Sequence, residues 1–172
     1  MIKKNSGKSE TMSKIFKLKK LPVGTLITKN ISNVDYHDSY MIMVEHDESI
    51  ERISEKILSL PRWVIVALRI RYYLLVKPFG LNTGKFIDVE KNSEGNFVPV
   101  PIIEKSEDEI VLGADDKHLY YRISIMKKNV EKITEIYLST IVKFHNIFGK
   151  IYFLPVRLGH KLVVRSILKR MS

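Results

Sequence analysis

The apolar positions of this chain change period along its length. Tyr40–Val44 is a short apolar run that follows the polar segment Asp35–Ser39, and it reads as a strand. Ile50, Ile53, Ile57 and Leu58 then recur at three- and four-residue steps, which puts them on one stripe of a helix. Asp47 and Ser49 compete to cap its start. Pro61 breaks this helix and starts a second, over roughly Arg62–Val76, because proline suits a first turn and breaks an interior one. The second helix is apolar on most sides, a pattern that predicts burial or cover by a partner. Pro78 and Gly80 stop it, and the polar stretch Asn82–Asn96 reads as a loop or irregular hairpin.

From Phe97 onward the period is two. Val98–Ile103 and Ile110–Leu112 are apolar runs. Leu119–Met126 alternates, with Tyr121, Ile123 and Ile125 on one face and Tyr120, Arg122 and Ser124 on the other. Ile136–Phe144 alternates more clearly, Ile136, Leu138, Thr140, Val142 and Phe144 facing together, and the lysine-rich Lys127–Lys132 reads as the hairpin turn between the two. A final helix is expected from about Pro155 to Met171. Val156, His160, Val163, Val164, Ile167 and Met171 share one face, and Arg157, Lys161, Arg165 and Lys169 form the other.

Strand, two helices, antiparallel meander and long helix, in that order, imply an α+β fold rather than βαβ units. A curved antiparallel sheet packed around a long C-terminal helix is the helix-grip (START-like) arrangement, which commonly encloses an apolar cavity between sheet and helix. That expectation concerns architecture and carries no chemistry.

Charge divides the chain. The formal net charge is +10, and the first twenty residues, with seven Lys and one Glu, supply more than half of it. Residues 1–20 are therefore expected to be a flexible basic arm and residues 21–172 a single domain. Met12 is a possible alternative start. There is no cysteine, which excludes disulfides, thiolate zinc and thiol catalysis and fits the cytoplasm. The basic N-terminus lacks the apolar core of a secretory signal. Trp63–Leu68, the longest apolar run near the middle, meets Arg69 and Arg71 well short of the roughly 20 apolar residues that a membrane span needs.

Several short motifs resemble a bacterial family of unknown function, domain of unknown function 2867. They are Asp35-Tyr36-x-Asp38-Ser39, Leu60-Pro61-x-Trp63, Phe79-Gly80-Leu81, Glu109-Ile110-Val111-Leu112-Gly113-x-Asp115-Asp116-Lys117-His118-Leu119, and Gly149-x-x-Tyr152 followed by His160. The resemblance runs from about Asp35 to Met171, and the Glu109–Leu119 block is its most specific piece. Where the family tends to have Pro-Phe before the C-terminal histidine, this chain has Leu158-Gly159. The resemblance implies a soluble domain, sometimes attached to short-chain dehydrogenase-like proteins, and supplies no reaction. This chain has no G-x-G-x-x-G of its own.

Gly113–His118 packs two acids, a base and an imidazole between two apolar runs. Asp115, Asp116 and His118, with His145 or His160, have the donor types of a metal site but match no dedicated ligand spacing. Asp115 and Asp116 equally suit a turn, their carboxylates capping backbone amides. Arg122 lies mid-strand, where an unpaired buried charge would be costly, so it is expected to pair with Asp115, Asp116 or a ligand carboxylate, or to face solvent. His160 on an apolar helix face is either a satisfied core residue or the group that orients a ligand.

The reading that follows is a domain binding a small apolar or amphipathic molecule between sheet and C-terminal helix, touched by Trp63, Tyr121, Arg122, Tyr152 and His160. No cofactor or metal is called for, and binding is preferred to catalysis because no nucleophile has a recognisable setting. The alternative is an enzyme using Asp116, His118 and His160 as acid–base groups. A third reading is a peripheral membrane or nucleic-acid partner acting through the basic arm and helix faces. Nucleic acid ranks last, with no recognition motif beyond the basic balance.

Overall fold

The computed structural model of the chain describes residues 14–29, 31, 33–45, 47–71, 73 and 100–171. The expected stretches Asn82–Asn96, Phe79-Gly80-Leu81 and the stop at Pro78 and Gly80 lie outside them. Within the described residues the fold is α+β. Six antiparallel strands, β1 (Phe16–Leu18), β2 (Tyr36–Val44), β3 (Ile102–Lys105), β4 (Glu109–Asp115), β5 (Leu119–Val130) and β6 (Ile133–Phe144), form one sheet. Its spatial order is β1-β2-β6-β5-β4-β3. Helices α1 (Ile50–Leu58) and α2 (Arg62–Arg71) precede β3, and α3 (Ile147–Lys169) follows β6. No helix among the described residues is long and apolar enough to cross a membrane.

The hairpin β5–β6 is the spine of the sheet, paired from Leu119↔Phe144 to Val130↔Ile133. Its turn is only Glu131-Lys132, with Glu131 in the left-handed region at φ 54°. The lysine-rich Lys127–Lys132 is therefore not the turn: most of it is strand. Long lysine stems make this workable. Lys127 reaches Asp47 Oδ1 and the Glu48 carbonyl, both at 3.0 Å, and Lys128 reaches the Val23 carbonyl at 2.8 Å.

At the other end of the sheet, β2 begins at Tyr36 and includes the polar residues expected to precede it. Pairing with β6, from Tyr36↔Val142 to Val44↔Thr134, decides this; the polar side chains then find partners within the fold. β1 pairs with β2 as an edge strand, so part of the segment expected to be a flexible arm joins the sheet.

Alternation fixes which strand residues meet the helices. Tyr40, Ile42, Ile110, Leu112, Ile125, Ile136 and Leu138 pack against Ile50, Ile53 and Ile57 of α1 and Val164, Ile167 and Leu168 of α3. A second cluster joins Leu119 and Val142 to Tyr152 and Phe153 near the start of α3. Ser49, not Asp47, caps α1, accepting from the Arg52 N–H, while Asp47 pairs with Lys127. Pro61 starts α2 as expected, its carbonyl accepting from Val64 and Ile65. Of the two expectations for this helix, burial within the chain is not met over its described residues: Val64 is buried, but Trp63, Ile65, Val66 and Ile70 are exposed.

The final helix starts eight residues before the expected Pro155. Asn146 caps it, accepting from the Gly149 N–H at 3.1 Å, and Tyr152 and Phe153 bury their rings in the first two turns. Those contacts carry the helix through Pro155, whose missing N–H costs about 3 kcal/mol in a helix interior.

The opposite face of the sheet is covered in part by a short 3-10 turn, Leu26–Thr28, with Ile27 buried against it. Glu109, 2% exposed, holds this turn in place. It accepts from the Thr25 hydroxyl at 2.5 Å, the Leu26 N–H at 2.7 Å and the Ser124 hydroxyl at 2.5 Å.

Candidate functional site

Between the two apolar clusters runs a polar band. On the helix-bearing face, Asp38 of β2 sits opposite Thr140 of β6, and both are buried. The neighbouring rows are Tyr36–Val142 on one side and Tyr40–Leu138 on the other. Along α3, Tyr152 and Phe153 meet the second cluster and Val164, Ile167 and Leu168 the first. His160 falls between them and drops onto the band.

Asp38, 3% exposed, accepts from His160 Nε2 at 3.3 Å and from the Tyr36 hydroxyl at 2.7 Å. A carboxylate only accepts, so the His160 proton on this side is on Nε2. Burial pushes the Asp38 carboxyl up, but the hydrogen bond and charge of His160, the Tyr36 hydroxyl and the charge of Lys17 outweigh it and hold the group below its ordinary value. The Tyr36 phenol moves the other way. Burial, then the hydrogen bond and charge of Asp38, push it far above its usual range, against the pull of Arg157 over its ring. Burial and Asp38 also raise Tyr40.

A cleft of about 400 Å³ lies at the β1–β2 edge, lined by Lys17, Leu18, Lys19, His37 and Asp38. Between the sheet and α3, where a cavity was expected, side chains of the two clusters pack against one another. At the cleft, Lys17 and Lys19 gather beside the strand that carries His37 and Asp38.

The five residues expected to touch one ligand do not converge. Tyr121 and Tyr152 pack under α3, and His160 lies on the same helix two turns further on. Arg122 points from the opposite face of the sheet. It stacks on Tyr120 at 3.8 Å and donates to the Tyr121 carbonyl at 2.9 Å, and it makes no ion pair with Asp115 or Asp116. Adjacent strand residues point to opposite faces, so Arg122 does not reach the space between sheet and α3 that Tyr121 faces. Trp63 is half-exposed on α2.

The Gly113–His118 stretch is the seat of α3. Asp116 Oδ1 accepts from the Lys117 N–H at 2.6 Å, and the Asp116 N–H bonds the Leu119 carbonyl, closing a tight hairpin. His118 Nδ1 donates to Asn146 Oδ1 at 3.1 Å, and Asn146 Nδ2 donates to the Lys117 carbonyl. A Cβ on Gly149 would lie 2.1 Å from the His118 carbonyl oxygen, so the first turn of α3 sits directly on this hairpin. Asp115 pairs with His145 at 2.9 Å at the surface. Among the described residues no three His, Asp or Glu side chains gather as metal ligands. His160 is eleven residues beyond Gly149, about 16 Å along the helix. The combination of Asp116, His118 and His160 as one acid–base group is thereby taken apart.

Asp38, the partner of His160, and Tyr36, which donates to Asp38, went unrecognised. A signal was present: Tyr36, Asp38 and Tyr40 share the strand face that continues as Ile42, and an acid in that alternation has to be paired or exposed. The outward row Ile147, Ile151, Leu154, Leu158 and Leu162 of α3 was also missed, although its spacing is as regular as that of the inward row.

Comparison with curated proteins and with solved structures gives no match. The family model described as protein of unknown function (DUF2867) matches residues 30–167, which span the whole of β2 to the last turn of α3, and the chain belongs to that family.

Proposed function

We propose that the chain is a cytoplasmic small-molecule-binding domain of helix-grip type, with its ligand contacts at Tyr36, Asp38 and His160 and in the adjoining cleft. The observation that carries this reading is Asp38, a carboxylate held in its charged form at 3% exposure between two apolar clusters. An aliphatic residue at that strand position would join the clusters without the cost of desolvating an ion. The pairing of β2 with β6 around the final helix supports the helix-grip arrangement. The ligand is amphipathic: a hydroxyl or ammonium donates to Asp38, an anionic group meets Lys17 and Lys19, and an apolar part lies on Leu18.

A second reading is favoured by the same hydrogen bond. Asp38 fixes the Nε2–H tautomer of His160 and so leaves Nδ1 as the position from which a proton is taken or given, the division of labour of an acid–base pair.

Native mass spectrometry of the full chain purified from its own host tests the proposal. A small-molecule adduct is expected on the wild type, lost in Asp38→Asn and His160→Ala and retained in Trp63→Ala. An adduct carried equally by all variants, or none under any growth condition, overturns it. Conversion of the captured molecule by the wild type but not by His160→Ala would establish the second reading.

A further inference from the structure

On α3, opposite the face that meets the sheet, Ile147, Ile151, Leu154, Leu158 and Leu162 recur at four-, three-, four- and four-residue steps, and each is more than half exposed. They form one line about 22 Å long. Monomeric proteins rarely leave so many large aliphatic side chains in one exposed row. Charge frames the row. Lys150, Arg157 and Lys161 follow one flank, and Arg165 and Lys169 continue its line beyond Leu162.

None of the 19 Asp and Glu residues of the chain lies on α3 or on α2. α2 repeats the composition, with exposed Trp63, Ile65, Val66 and Ile70 beside Arg62 and Arg69. The two helices share an end, because Arg170 donates to the Ser59 carbonyl at 2.5 Å just before α2 begins.

We infer that the outer face of α3 docks on an anionic lipid surface, the aliphatic row entering the headgroup–acyl boundary and the flanking cations meeting lipid phosphates. That is the pattern of an interfacial helix: an apolar line at the depth of the acyl chains and Lys or Arg at the depth of the headgroups. A lone helix needs a polar back to stay in the plane of the interface; here the sheet covers the back instead. The seven Lys of the first twenty residues supply the second, electrostatic signal that lasting attachment requires. A second copy of the chain fits this face poorly. It would bring the same cations against these with no acid on either helix, between chains of formal charge +10.

Flotation of the full chain with vesicles decides the matter. Binding is expected to phosphatidylcholine vesicles containing phosphatidylglycerol, weakened by salt, and not to phosphatidylcholine alone. Leu158→Glu and Leu162→Glu, at exposed positions that leave the core intact, are expected to lower the partition about ten-fold or more, the order set by moving a carboxylate into an apolar boundary. Val23→Glu, still more exposed but on the segment that reaches the other face, is expected to leave it unchanged. Equal binding to both vesicle types, unchanged binding by Leu158→Glu, or a concentration-dependent dimer that Leu158→Glu abolishes would each overturn the inference. The dimer would assign the row to a second copy.

Discussion

Asp38 and His160, 122 positions apart in sequence, meet at 3.3 Å across the junction of β2 and α3. They form a polar crossing between the two apolar clusters that fasten the helix to the sheet. The pair fixes the register of α3 on the sheet. Sliding the helix by one turn would leave the Asp38 carboxylate facing an aliphatic side chain.

Removing either partner tests that role. His160→Ala leaves a buried carboxylate with only the Tyr36 hydroxyl and is expected to cost about 3 kcal/mol. Asp38→Asn keeps one acceptor oxygen and sets an amide N–H in place of the other, so one of the two donors loses its acceptor, and it is expected to cost about 1–2 kcal/mol at neutral pH. The pH dependence follows from the depressed carboxyl. In the unfolded chain Asp38 takes up its proton near the ordinary value of about 4, and in the fold only at lower pH. Its contribution is therefore complete above about pH 4 and is lost as pH falls through the folded value. Urea unfolding from neutral pH to below pH 4 should show the wild type losing more stability on acidification than Asp38→Asn. Parallel curves would remove Asp38 from the acid response.

Two glycines of the same helix should respond in opposite directions to alanine. At Gly149 a Cβ meets the His118 carbonyl oxygen at 2.1 Å, so backbone must move, at a cost of about 1–3 kcal/mol. At Gly159 a Cβ meets nothing within 4 Å, and the gain in helix propensity is about 1 kcal/mol. Thermal melts of the two variants beside the wild type read both signs.

Asn146→Ala should weaken the start of α3 by more than an ordinary cap. Its side chain serves the Gly149 N–H, the Lys117 carbonyl and His118 together. A lost cap costs about 1 kcal/mol, and the released His118 and Lys117 groups add to it. Hydrogen exchange should rise in the first two turns of α3 and at the β4–β5 hairpin, and stay unchanged around Val164–Leu168.

Glu109→Gln should free the 3-10 turn. The carboxylate takes three donors, and an amide turns one of its two oxygens into a further donor. A loss of about 1–3 kcal/mol is expected, with faster exchange of the Leu26 and Ile27 amides. Exchange at wild-type rates would show that Ile27 burial alone holds the turn.

Much of the architecture could be read from period alone. Ile50, Ile53 and Ile57 at helical steps, and Ile136, Leu138 and Val142 at strand steps, each chose one face, and those faces are the core. The inward face of the last helix, from Val156 through His160 to Met171, was legible for the same reason. Element ends were not. Pro155 carries a strong local signal to start a helix, and a distant contact, the β4–β5 hairpin under Gly149, overrode it. Lys127 and Lys128 look like turn residues until Asp47, Glu48 and Val23 arrive from elsewhere in the chain.

The chain by itself determined that there would be a sheet of alternating strands, helices with one apolar stripe, no thiol chemistry and a large positive charge. These are properties of neighbours in sequence: side-chain period, composition and ionisation. Tertiary structure alone decided that His160 answers Asp38 rather than Asp116 or His118, that Arg122 and Tyr121 look in opposite directions, and that one row of α3 remains uncovered. A buried carboxylate must take its partner from whatever element the fold brings within about 3 Å. Here that element is a helix more than a hundred residues away, reached only through the pairing of β2 with β6.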